Sequence, residues 1–168
     1  MSLTFRTVVG SALVGLLSAC TTALWHPWID KQVAGPSASP RQARLVSLRI
    51  VKPPPSTPAK IARWCGYWHG WFGYSKEFDM KIVFARIEGD EAIIQYSWAT
   101  ANAQNVSILR GKFSGDEVEM KLPVGGHLSI RLRPNGNEME IVQRTGRGEI
   151  ALEFYGLLTT RTGQRVSR

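Results

Sequence analysis

Cysteine, histidine and acid are all scarce in this chain, and each scarcity closes off a class of function. Two cysteines, Cys20 and Cys65, allow one disulfide at most in 168 residues, so stability has to come from packing rather than from a covalent framework. The three histidines, His26, His69 and His127, stand far apart, and none has a second ligand at His-x-His or His-Glu-x-x-His spacing. No metal centre is expected from them. A Gly-x-Ser-x-Gly elbow is absent, and Gly146-Arg147-Gly148 is followed by no helical pattern, which makes it a turn rather than a phosphate loop. Glu117, Glu119, Glu138, Glu140, Glu149 and Glu153 alternate with apolar residues, the pattern of a solvated outer face rather than of a facing catalytic pair. Lacking convergent polar groups, the chain reads as a non-enzyme without cofactor, with an enzyme the least favoured of three readings.

Long hydrophobic runs are missing too. The run from Val8 to Leu17 is too short to span a bilayer as a permanent helix. It follows one basic residue, Arg6, and precedes small residues, the n-, h- and cleavage-region layout of a secretory signal. Its end, Leu17-Ser18-Ala19-Cys20, resembles the lipobox of bacterial lipoproteins. The resemblance implies that residues 1–19 are a signal peptide and that Cys20 becomes the lipidated first residue of the mature chain. Several acyl chains on one residue would hold it stably, since two suffice. Thr21, rather than Asp, follows the Cys, which in that family leans towards the outer membrane, facing the periplasm. The alternative is an ordinary secretory signal with a Cys just after its apolar core. With Cys20 lipidated, Cys65 beside Trp64 is left alone and reads as a small buried apolar residue rather than a nucleophile.

Residues 20–61 read as a lipidated N-terminus and a basic, Pro-rich tether. Seven of the nine prolines lie between residues 21 and 63, and GPSASPRQA carries no large apolar residue, as in a linker. Over residues 21–63 there are seven basic residues against Asp30 alone, whereas residues 64–168 carry thirteen basic and twelve acidic residues. The excess of Lys and Arg therefore belongs to the tether. Beside a membrane anchor it would be drawn to anionic head groups or acidic wall polymers; the bland alternative is a solvated linker. Nucleic acid is a poor fit to a secreted chain. One piece, LVSLRIV (45–51), is apolar enough to dock on the folded domain.

From residue 62 to 161 the pattern is a β-domain, followed by a tail of residues 162–168. GYWHGWF (66–72), FDMKIVFARIE (78–88), EAIIQYSWA (91–99), VSILRGKF (106–113), EVEMKL (117–122), HLSIRLR (127–133), EMEIVQR (138–144) and EIALEFYGLL (149–158) are short alternating runs separated by Gly, Asn and Asp turns. That spacing predicts eight antiparallel strands joined by hairpins. Eight meandering strands close into a small up-and-down barrel, which removes the exposed edges of an open sheet; a two-sheet sandwich is the alternative. The inward set comprises Trp68, Phe78, Met80, Ile82, Phe84, Tyr96, Trp98, Met120, Ile130, Leu132, Ile141, Leu152 and Phe154. It is large enough to fill a barrel of about 100 residues, so any cavity is expected to be small.

Gly66-Tyr67-Trp68 at the start of the first strand, with a meander ending at Arg161, resembles the calycin or lipocalin-like barrels. The resemblance implies that Trp68 packs at the closed end and that Arg161 lies over its ring. The stretch RWCGYWHGWFGY (63–74) then divides in two. Trp68, Gly70 and Phe72 point inward, with Gly70 leaving room for a neighbouring ring; Tyr67, His69 and Trp71 form an outward row. That row is either covered by the tether or exposed as a site for a partner. Two functions follow. The first is a membrane-anchored cell-envelope lipoprotein acting as a binding module for an envelope protein or wall polymer through Tyr67, His69 and Trp71. The alternative is a lipocalin-like carrier of a small apolar ligand in the barrel.

Overall fold

The computed structural model of the protein describes residue 29 and residues 31–123, 125–147 and 150–160. Eight strands make up most of them: β1 (Gly66–Phe72), β2 (Phe78–Glu88), β3 (Glu91–Ala99), β4 (Gln104–Ser114), β5 (Glu117–Lys121), β6 (His127–Leu132), β7 (Glu138–Arg147) and β8 (Ile150–Thr160). Each pairs with the next in antiparallel register and β8 returns to β1, so the sheet closes into an up-and-down barrel. The first three strands have the bounds their alternation and turns predict; β4 starts two residues earlier and β8 runs two residues further. A single helical turn, α1 (Ala59–Ala62), leads into β1.

Closure depends on two glycines on the two sides of the last seam, Gly70 opposite Leu158 and Gly156 opposite Phe72. A Cβ on Gly70 would stand 2.1 Å from the Leu157 carbonyl oxygen, and one on Gly156 2.8 Å from that of Trp71. The space beside Gly70 is thus taken by the β8 backbone, not by a neighbouring ring as its position in the sequence suggests. A side chain at either site would force the seam apart.

Inward alternation builds one continuous core. Trp68, Phe72, Met80, Ile82, Phe84, Tyr96, Met120, Ile130, Leu132 and Ile141 are all buried in it, with Phe78, Trp98 and Phe154 packed at its margin. Leu152 lies outside the residues whose side chains are described. One end is plugged by Trp64, whose ring meets Phe84 at 5.3 Å and Phe113 at 5.4 Å edge to face. The Trp64 carbonyl accepts the Trp68 indole N–H at 3.0 Å. The fully buried Trp68 sits beside that plug; Arg161 lies outside the described residues.

The outer face is only partly wet. Residues 31–52 run across it as a strap, bound mostly by side chains of the barrel that grip strap backbone. The Asp79 carboxylate accepts the Ala43 N–H at 2.8 Å, and Lys81, two residues on along β2, donates to the Ala43 carbonyl at 2.8 Å. With its amide oriented to satisfy both neighbours, Gln95 donates to the Val46 carbonyl at 3.0 Å and accepts the Val46 N–H at 3.2 Å. A bulge between Phe84 and Arg86 leaves Ala85 out of the register, and its carbonyl accepts the Val51 N–H at 2.7 Å. Such contacts satisfy the strap's backbone as a neighbouring strand would. At the strap's start Arg133 donates to the Ile29 and Gln32 carbonyls at 2.6 and 3.2 Å, and Ile29 packs against Val142 and Tyr155. Arg133 is in turn held by Glu140, which is buried and also bound by Arg131. With guanidinium groups on both of its oxygens, the buried carboxylate has its desolvation cost offset.

Candidate functional site

The strap decides the fate of the outward row. Trp71 is fully buried, its indole N–H donating to the Val33 carbonyl at 3.4 Å and its ring lying 5.0 Å beneath the Lys76 ammonium. His69 binds Asp79 through Nε2 at 2.8 Å, and Ser37 on the strap donates to the same carboxylate oxygen at 3.1 Å. Burial alone would raise the Asp79 carboxyl, but His69, the Ala43 N–H and Ser37 outweigh it and hold the pKa below the ordinary 3.8. Tyr67 is half-buried, its ring 6.2 Å from that of His69. Tyr67, His69 and Trp71 therefore share one face, and Trp71, together with His69 through Asp79, is part of the bed of the strap. The cover at Trp71 and His69 comes from residues 33–43; the 45–51 stretch named by its hydrophobicity lies further along, on β2 and β3. Although Ser37, His69 and Asp79 are the three residue types of a hydrolase triad, the serine binds the carboxylate and not the imidazole, so they clamp the strap and activate no nucleophile.

At the end of the barrel opposite Trp64 the core stops short and leaves a cup of about 410 Å³. Four neighbouring strands, β8, β1, β2 and β3, line half of it with aromatic rings. Phe154 and Phe72 lie 5.9 Å apart, Phe72 and Phe78 5.5 Å, and Phe78 and Trp98 5.5 Å. The other half is smaller and mixed: the polar Asn105 and Ser107 of β4 and Gln143 of β7, with the apolar Leu122 and Pro123 after β5. Asn105 donates to Ser107 at 3.1 Å. Tyr96 reaches across from β3 and donates to Gln143 Oε1 at 3.1 Å, which leaves the Gln143 amide N–H groups without a protein partner among the described residues. Burial pushes the Tyr96 hydroxyl well above its ordinary range, so it stays neutral. Among the described lining residues no other side chain titrates.

The cup was partly legible. Phe72, Phe78, Trp98 and Phe154 are inward residues by alternation, but alternation does not say whether they meet a facing layer. The sign of a gap is the opposite wall: Asn105, Ser107 and Gln143 are polar residues at inward positions, two of them small. Cys65 is half-buried, donates weakly to the Val51 carbonyl at 3.4 Å, and has its thiol pKa raised by burial, which fits a packing residue. Cys20 lies outside the described residues. No group of three His, Cys, Asp or Glu side chains converges among the described residues.

No protein-family model matches this chain, and none of the curated proteins matches it. The site has to be read from its own geometry.

Proposed function

We propose that the protein is a non-enzymatic binding module, anchored in the cell envelope through a lipidated Cys20, and that the cup is where it binds. The cup carries this reading. Its volume falls within the range of small-molecule sites, and its lining is the usual mixture of apolar wall and a few placed polar groups. The aromatic crescent suits a flat apolar body. The Gln143 amide offers a hydrogen bond to an acceptor such as a carbonyl or ether oxygen. Without ionic groups among the described lining residues, a charged group placed there would lose its hydration uncompensated, so the buried part of the ligand is neutral. The small-ligand reading is favoured over an outer-face partner site because the strap covers Trp71 and binds the Asp79 carboxylate that holds His69. Binding rather than catalysis is supported by the cup's chemistry, since among its described lining residues no general base stands beside the Ser107 hydroxyl.

The test uses the chain from Thr21 onward, which retains every described contact. A neutral naphthylamine dye should bind one per chain with quenching of Trp98, and Ser107→Phe, which fills the cup from the opposite wall, should abolish binding with the barrel intact by circular dichroism. Equal dye binding by the filled variant would refute the cup as the site. The anchor is tested separately by mass spectrometry of the protein extracted from its own membranes. Cys20 bearing acyl chains should be the first residue, and a different or unmodified first residue would contradict it.

A further inference from the structure

The strap handles charge differently from the barrel. Each barrel arginine with a described side chain has an acid beside it: Arg86 with Glu88, Arg110 with Glu91, Arg131 and Arg133 with Glu140, and Arg144 with Glu153. Arg41, Arg44 and Arg49 on the strap are exposed and pair with no acid among the described residues, and Lys52 is exposed beside them. The same stretch leaves Leu45, Val46 and Val51 exposed by 40%, 45% and 44%. On the barrel, Ile108 is exposed by 55% and pairs in register with Gln95, the residue that grips Val46. With the backbone at Ala43, Val46 and Val51 engaged by β2 and β3, what the strap presents outward is side chains, alternately cationic and aliphatic.

We propose that this face, the strap over β2 and β3 with Ile108 beside it, lies against an anionic lipid bilayer. Uncompensated cations set among exposed aliphatic groups match a surface that is negative at its head groups and apolar just beneath. An acidic polymer in solution would engage the cations and leave Leu45, Val46 and Val51 in water, so the bilayer is the better match. Contact through this face lays the barrel on its side, independently of any lipid on Cys20, so the inference does not rest on the anchor.

The chain from Thr21 onward, without lipid, is sedimented with vesicles of phosphatidylcholine alone or mixed with phosphatidylglycerol. It should partition onto the anionic vesicles and release at high salt. Each basic residue near the surface contributes about fivefold, so Arg44→Ser with Arg49→Ser should weaken partitioning about 25-fold. Leu45→Ser, Val46→Ser and Val51→Ser together should weaken it severalfold, with the melting temperature within about 2 °C of the parent, because these side chains are exposed. No preference for anionic vesicles overturns the proposal. Binding that falls with the arginine pair but not with the aliphatic triple also overturns it, pointing instead to a polyanion.

Discussion

Replacing Asp79 by Asn probes the device that fixes the strap. The carboxylate accepts three hydrogen bonds, from His69, Ala43 and Ser37, at 2.8, 2.8 and 3.1 Å, and its side chain is 5% exposed. An Asn side chain has one acceptor oxygen, and its amide nitrogen would oppose a donor. Losing a buried hydrogen bond to a charged group costs about 1.5–3 kcal/mol, and the unmatched donor keeps the penalty in the upper part of that range. We expect about 2–3 kcal/mol, which for a domain of this size is a melting-temperature fall of roughly 6–12 °C. Hydrogen exchange at the Ala43 amide should accelerate about 30- to 150-fold, while core amides of β2 and β3 change only as far as global unfolding requires. The acid limb gives a second signature. Because the folded pKa of Asp79 lies below the ordinary 3.8, its contribution is present above that value and is lost as the pH falls through the folded pKa. Parent and variant should therefore converge in stability as the pH falls through the folded pKa. An unchanged Ala43 exchange rate, or a stability gap that persists in strong acid, would refute this account of the clamp.

Two further substitutions test the frame on which the strap and cup depend. Arg133→Met removes the link between Glu140 and the Ile29 and Gln32 carbonyls while keeping the length of the side chain; we expect about 3 kcal/mol of destabilisation in denaturant titration, and a loss under 1 kcal/mol would mean Arg131 alone satisfies Glu140. Gly70→Ala places a methyl group against the β8 backbone, which cannot move without opening the seam; it should cost more than about 2 kcal/mol or prevent folding, and a neutral result would show that the β1–β8 approach is looser than 2.1 Å implies.

The barrel was readable because each connection is short and each run alternates. Gly89-Asp90 between two apolar-alternating runs fixes the β2–β3 hairpin to the residue, and the same logic carries round to β8. Where polar residues continue a strand, as at Gln104 and Asn105, the run looks like loop and the start of β4 is misplaced. The strap was harder. Its attachment is by side chains gripping backbone, and a backbone carbonyl leaves no trace in the sequence. What trace there was lies on the barrel: Trp71, Val83, Val142, Tyr155 and Leu157 are apolar residues at outward positions, and all are buried. A wet face does not need them. Asp79, Lys81 and Gln95 occupy outward positions as polar residues should, and nothing in their identity distinguishes a clamp from a solvated surface. The proposed bilayer face combines both kinds of signal, since its charge excess is plain in the sequence while the lack of acidic partners among the described residues emerges only from the fold.

The central claim, that the cup is a binding site, is tested most directly by native mass spectrometry of the protein purified gently from its own envelope. Parent chain and Ser107→Phe would be measured side by side. The parent should carry a neutral small-molecule adduct at one per chain that the filled variant lacks. Identical spectra, with no adduct on the parent or with the same adduct on both, would contradict it.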